Sequence, residues 1–148
     1  MKIPKSIEFH NDTNYVLTKF LKAAYPAEGC AILIGQKKTS TTDNRQNFWE
    51  VKHIWKCLNI WGETESRLIH QNINTLSNQK NIHLSKNNRF EIDPKDQIAA
   101  QKWARENNLE VLCFAHSHPS GKNKPSKMDL FLHQSPCLMV ISNKDGDL

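Results

Sequence analysis

Phe114-Ala115-His116-Ser117-His118-Pro119-Ser120-Gly121-Lys122-Asn123-Lys124-Pro125-Ser126-Lys127-Met128-Asp129 joins a pair of histidines to a serine and an aspartate across a turn rich in proline and lysine, and the other elements can be placed around it. Directly before it, Glu110-Val111-Leu112-Cys113-Phe114-Ala115 is a short apolar run rich in strand-formers. His116 and His118 therefore fall at or just past a strand's end. Residues two apart on an extended chain point to the same side, so the two imidazoles share one face. Imidazole is the commonest protein ligand for zinc, and two on one face can share a divalent cation. Pro119, Gly121 and Pro125 then break regular structure into a polar turn. Ser126 followed three residues later by Asp129, ahead of Leu130-Phe131-Leu132, reads as a helix start with Ser126 as the cap. That layout returns a carboxylate towards the histidine pair.

Taken singly, each piece has a plainer reading. A His-x-His pair is a weak metal signal, Asp129 suits the first turn of a helix, and Ser126 suits a cap. Two histidines, a seven-residue turn and Ser-x-x-Asp in one order are a much more specific combination. Working outward, Glu110–Ala115 is preceded by an amphipathic helix in which Asp93-Pro94 supplies a cap and a first-turn proline. Its apolar positions are Ile98, Ala99, Ala100, Trp103 and Ala104, and it ends near Asn107-Asn108. After the motif, Cys137-Leu138-Met139-Val140-Ile141-Ser142 reads as a strand and Asn143-Lys144-Asp145-Gly146 as a turn.

Towards the N-terminus, Asn11 to Ala24 has helical spacing at Tyr15, Val16, Leu17, Phe20, Leu21 and Ala24, with Asp12 or Thr13 as cap and Pro26 as stop. Cys30 to Gly35 is an almost continuous apolar run, expected of a strand covered on both faces, with Glu28 just ahead of it. Gln36 to Asn47 reads as an exposed hairpin loop, and Phe48 to Trp55 as a strand whose Trp49, Val51 and Ile54 face the core. His53 is placed at the surface or the edge of the core. Asn59 to Asn88 is long, polar and poorly periodic, the character of a functional or mobile connection. His70 and His83 lie in it and are read as solvent-exposed. The elements give a mixed α/β sandwich, a central mixed β-sheet flanked by helices, with the site at one edge of the sheet.

The 148 residues suffice for a single domain spanning 1–148 with its own core. Hydrophobic residues at 38% and charged residues at 24% exclude wholesale disorder. No apolar stretch has the length of a membrane span and Met1-Lys2-Ile3-Pro4-Lys5 lacks a signal-peptide core, so the expectation is a cytoplasmic protein without membrane contact. The formal charge of +5 is spread along the chain, which supports no nucleic-acid site. Cys30, Cys57, Cys113 and Cys137 lie singly on apolar runs, as buried free thiols rather than a zinc knuckle or redox pair.

His116-Ser117-His118, seven residues, Ser126, two residues and Asp129 resemble the signature of the JAMM, or MPN+, zinc metalloproteases. Pro26-Ala27-Glu28-Gly29-Cys30-Ala31-Ile32-Leu33-Ile34-Gly35 is similar to the segment in which that family carries its catalytic glutamate. The resemblance implies an MPN fold, related in architecture to cytidine deaminases, which usually continues with at least one more strand, so the expectation is that the chain either is truncated after Leu148 or lacks an edge strand. The deaminase chemistry itself is excluded, because the chain has no His-x-Glu and no Pro-Cys-x-x-Cys. The resemblance further implies one Zn2+ per chain held by His116, His118 and Asp129, with Glu28 as general base and the Ser126 hydroxyl as an oxyanion donor. Ser117 points the other way and receives no catalytic role. The implied substrate is a ubiquitin-like or sulfur-carrier protein, cut at an amide bond of its C-terminal tail. Two alternatives stay open: a zinc-stabilised interaction module that cuts nothing, and a zinc hydrolase of a small amide. Oligomeric state is not legible.

Overall fold

The computed structural model describes residues 3–41, 46–62, 85–121, 123–132 and 138–148. Strand β1 (Ser6–Phe9) is followed by helix α1 (Thr13–Ala23), then by the long strands β2 (Cys30–Thr39) and β3 (Asn47–Cys57). Helix α2 (Pro94–Glu106), strand β4 (Glu110–Ser117), helix α3 (Lys127–Leu132) and strand β5 (Met139–Ser142) complete the order. The sheet runs β1-β3-β2-β4-β5. The β2–β3 and β2–β4 pairs are antiparallel, while β1–β3 and β4–β5 are parallel.

Strand β2 is central because it has no polar face to expose. Cys30 to Gly35 are all buried, and successive side chains enter opposite layers. Ala31 and Leu33 join Leu17 and Leu21 of α1, with Trp49, Val51 and Ile54 of β3. Cys30, Ile32 and Ile34 join Ala100 and Ala104 of α2, with Cys57 and Ile92. One helix therefore covers each face of the same strand. His53 is half-buried on the α2 side, its ring 4.3 Å from that of Trp103.

Helix α2 begins as its sequence requires: Pro94 occupies the first turn and Asp93 Oδ1 accepts from the Lys95 amide at 2.8 Å. Helix α1 differs from expectation. Asp12 stands at the cap position without a side-chain bond, and the Thr13 hydroxyl instead donates to the His10 carbonyl at 2.8 Å.

Three further features depart from the sequence reading. Strand β1 was not expected; its four residues alternate too briefly to signal a strand, and its partner Phe48–Val51 lies about forty residues away in the chain. The polar run after Gly35 is not all loop, since Gln36 to Thr39 pair with Glu50 to Asn47. That extension is held by the backbone ladder and by polar contacts at its rim, including a Lys38–Glu50 ion pair at 2.6 Å and Lys37 over the Trp49 ring. The site, finally, does not lie on an edge strand. It sits where β4 ends beside the start of β2, both inner strands of the sheet.

Gly35 marks a bulge in the β2–β3 register, and a Cβ placed on it would lie 1.9 Å from the Glu50 carbonyl oxygen. Gly35→Ala should therefore destabilise the protein by about 2–3 kcal/mol, read from the urea midpoint. A midpoint equal to wild type would mean that β3 yields freely at this point.

Candidate metal centre

His116 lies inside the last turn of pleat in β4 and is fully buried, and His118 follows one residue beyond the strand. The His118 amide donates to the Ser142 carbonyl at 2.8 Å, which prolongs the β4–β5 pairing and fixes the second imidazole. The two Nε2 atoms stand 2.9 Å apart. Gly121 folds back beneath His118, where an added Cβ would come within 3.2 Å of the histidine Cβ.

Asp129 arrives from the other side of the turn. The Ser126 amide donates to Asp129 Oδ2 at 2.6 Å and the Asp129 amide donates to Ser126 Oγ at 3.1 Å, the reciprocal pair that opens a helix. The cap thereby aims the carboxylate: Oδ1 is 3.3 Å from His116 Nε2 and Oδ2 is 3.2 Å from His118 Nε2.

Two imidazole nitrogens and a carboxylate thus converge within 4.8 Å of one another in a buried pocket. A tetrahedral ion with ligands at roughly 2.0–2.1 Å sets them about 3.3 Å apart, so the donor spacing and chemistry fit a small divalent cation. Among the described residues no other His, Cys, Asp or Glu group is brought together in this way. His70, His83 and Cys137 lie outside the described residues, as does most of the long polar connection. Cys30 and Cys57 are buried free thiols that burial pushes up to about 12, and Cys113 is buried as well.

Glu28 is buried beside this group. Its amide donates to the Lys86 carbonyl at 2.6 Å, and its carbonyl accepts from Asn59 Nδ2 at 2.9 Å. Burial, reinforced by the negative charge of Asp129 and opposed by His118 and Arg89, pushes its carboxyl up to about 7. Burial also works against ionisation of Asp129, but hydrogen bonds from His116, His118 and Ser126 outweigh it and hold that carboxyl well below the usual range.

Three residues that position the site carried no signal in the sequence. Asn59 bonds Glu28 O and Arg89 O through Nδ2, at 2.9 Å each, and accepts from the Trp61 and Glu91 amides at 3.0 and 3.2 Å. Phe90, in the segment so held, stacks on His116 with ring centroids 4.4 Å apart and planes inclined by 22°. Ser117 does point away from the histidines, and there its hydroxyl accepts from the Gly29 amide at 2.8 Å. It pins the residue after Glu28 to the strand that carries the imidazoles. Asn59 stood at the start of a stretch read as featureless loop, and no local pattern distinguishes it.

An α/β sheet of this order, with His-x-His at the end of an inner strand and an aspartate from a capped helix beside it, defines a domain of the JAB/MPN type. The chain belongs to the prokaryotic homologues of the JAB domain, whose family model matches residues 11–148. Its fold is similar to the solution structure of a protein from Desulfitobacterium hafniense, with TM-score 0.63 and 22% identity over 93% of this chain and 74% of that one. A solution structure from Salinibacter ruber is also similar, with TM-score 0.52 and 25% identity over 94% of this chain and 74% of that one. No curated protein matches the chain. Among the described residues no helix is long and apolar enough to cross a membrane.

Two outcomes follow from this geometry. Zinc added to chelator-treated protein at 100 times its dissociation constant should stabilise it by about 2.7 kcal/mol in thermal unfolding, an effect that Asp129→Ala removes. In metal-free protein, Glu28 binds its proton more tightly when folded, with a value of about 7 against 4.5 for an ordinary glutamate. Its contribution is therefore favourable at low pH and lost as pH rises through 4.5 to 7. Glu28→Gln should accordingly gain stability over wild type, on the order of 2 kcal/mol, between pH 4.5 and pH 8. A pH-independent difference would show that the buried carboxyl titrates normally.

Proposed function

We propose that the chain is a zinc-dependent amide hydrolase acting on the C-terminal tail of a ubiquitin-like or sulfur-carrier protein. The observation that carries this reading is a three-donor site with a buried, proton-holding carboxylate at its side. His116, His118 and Asp129 would hold the metal, and three protein ligands are the number that catalytic zinc sites use. Zinc bound there would supply a Lewis acid that makes water more acidic and polarises a carbonyl.

The chain's own groups would do the rest. Glu28 takes a proton from the attacking water and returns it to the departing nitrogen, a task suited to a carboxyl whose proton affinity is raised towards neutrality. Ser126 Oγ already accepts from the Asp129 amide, which leaves its O–H to donate towards negative charge on the carbonyl oxygen. Asn59 and Ser117 hold the backbone on either side of the Glu28–Gly29 bond, and so limit the freedom of the base relative to the imidazoles. Leu130, next to Asp129 and 66% exposed, offers apolar contact to a polypeptide beside the site.

Glu28→Gln separates this reading from that of a metal-stabilised interaction module. The variant should retain one zinc per chain by elemental analysis while hydrolysis of a ubiquitin-like or sulfur-carrier adduct falls about 10²–10⁴-fold. A folded, zinc-loaded wild type that leaves every such adduct intact would instead favour the module. Turnover of small amides alone would favour the small-molecule hydrolase.

A further inference from the structure

A cavity of about 240 Å3 opens where the C-terminal end of α1 meets the ends of β4 and β5. Leu21, Tyr25 and Pro119 give it apolar walls. Ser117 and Ser142, buried and paired across β4 and β5, form its floor. Close-packed interiors leave few spaces larger than a water molecule, so a hollow of this size is more than slack in the packing. It falls below the ~300–1,000 Å3 of ordinary ligand clefts, which calls for a small occupant. Tyr25 borders it and is 72% exposed, a large ring that an occupant would partly cover.

The charge around the cavity has one sign. Lys22, in the last turn of α1, and Lys144, in the turn after β5, both line it and are both exposed. Among the described residues neither is in an ion pair. Helix α1 contains lysines but no carboxylate, and the Asp147 carboxylate is held by Asn143 Nδ2 at 3.1 Å. On the floor, Ser142 Oγ donates to the Asn143 carbonyl at 3.3 Å. Ser117 Oγ accepts from the Gly29 amide at 2.8 Å, which leaves its proton to donate. A small apolar hollow bordered by two cations and a hydroxyl donor is complementary to one carboxylate on a compact apolar body.

We propose that this cavity is a second ligand site, which binds a small organic acid with its carboxylate at Lys22 and Lys144 and its apolar body against Leu21, Tyr25 and Pro119. The exposed lysines and tyrosine keep the entrance open to solvent, so the acid reaches its partners directly. The metal centre takes no part. Side chains alternate along β4, and Ser117 leaves it on the face opposite His116 and His118. An occupant would nevertheless act close to the centre, because the Ser117 hydroxyl also pins Gly29, the neighbour of Glu28. An acceptor on the Ser117 proton polarises that hydroxyl and strengthens its bond from the Gly29 amide. The cavity and its charges stand whether or not the chain hydrolyses amides.

The test titrates the full chain loaded with Zn2+ with isocaproate and with its neutral analogue isocaproamide, followed by backbone amide chemical shifts. Isocaproate should give saturable shifts at Lys22, Ser117, Ser142 and Lys144, and should bind about fivefold or more tightly than the amide. The double variant Lys22→Gln, Lys144→Gln changes only exposed side chains and should bring the two affinities within about twofold of each other. The same shifts should appear in chelator-treated protein. Shifts confined to the surroundings of His116, His118 and Asp129, or an affinity lost on chelation, place the acid on the metal and overturn the proposal. Equal binding of acid and amide by wild type, an undiminished preference in the variant, or no saturable shift up to about 10 mM also overturns it. Acetyl-Ala-Ala-Leu as the free acid provides the last comparison. Weaker binding than isocaproate supports a small ligand, and tighter binding overturns that assignment in favour of a polypeptide end.

Discussion

The site depends on one backbone register. Strands β2 and β4 pair antiparallel with Cys30 opposite His116, so the chain just before β2 lies against the end of β4. Glu28 and the imidazoles, nearly ninety residues apart in sequence, meet for that reason alone. The pairing is locked at its last step by Ser117: its amide donates to Gly29 O at 3.0 Å, and its hydroxyl accepts from Gly29 N at 2.8 Å. Gly29 also lies so close to α1 that a Cβ would come within 2.9 Å of the Leu21 carbonyl oxygen. A slip of one residue would turn every side chain to the other face and carry the imidazoles away from the carboxylates.

Apolar packing makes that register costly to leave. Ala31 and Leu33 are committed to the α1 layer and Cys30, Ile32 and Ile34 to the α2 layer, so β2 cannot rotate or slide without exposing one set. Burial of this strand also creates the electrostatic conditions at its end. The carboxyl of Glu28 is deprived of water and becomes reluctant to ionise, while Asp129, equally enclosed, is held ionised by hydrogen bonds. Two carboxyl groups in one pocket are driven apart in proton affinity, the condition for one to anchor a cation and the other to carry a proton.

The polar framework around the pocket is built largely from backbone groups. Asn59 satisfies carbonyls and amides from three separate segments with one carboxamide, and in the Ser126–Asp129 cap the Ser126 amide holds the carboxylate while the Asp129 amide holds the Ser126 hydroxyl. Such contacts hold atoms in place with short side chains that have few rotamers to lose. Phe90 adds a flat apolar surface against His116, which restricts the ring without taking up a coordinating nitrogen.

Features set by neighbouring residues were legible in the amino-acid order. The spacing of His116, His118, Ser126 and Asp129 specified a cluster that could hold a metal ion, since strand alternation and helix capping operate within a few residues. The unbroken apolar run from Cys30 to Gly35 specified a doubly covered strand, and Asp93-Pro94 the start of α2. The remaining features depend on pairing between distant segments. Strand β1 is too short to announce itself without its distant partner, and the polar ends of β2 and β3 are strands because they pair with each other. The same holds for Asn59, Phe90 and Ser117, whose importance lies in contacts with residues far away in the chain. A carboxamide, a ring and a hydroxyl are ordinary surface groups until the fold chooses their partners.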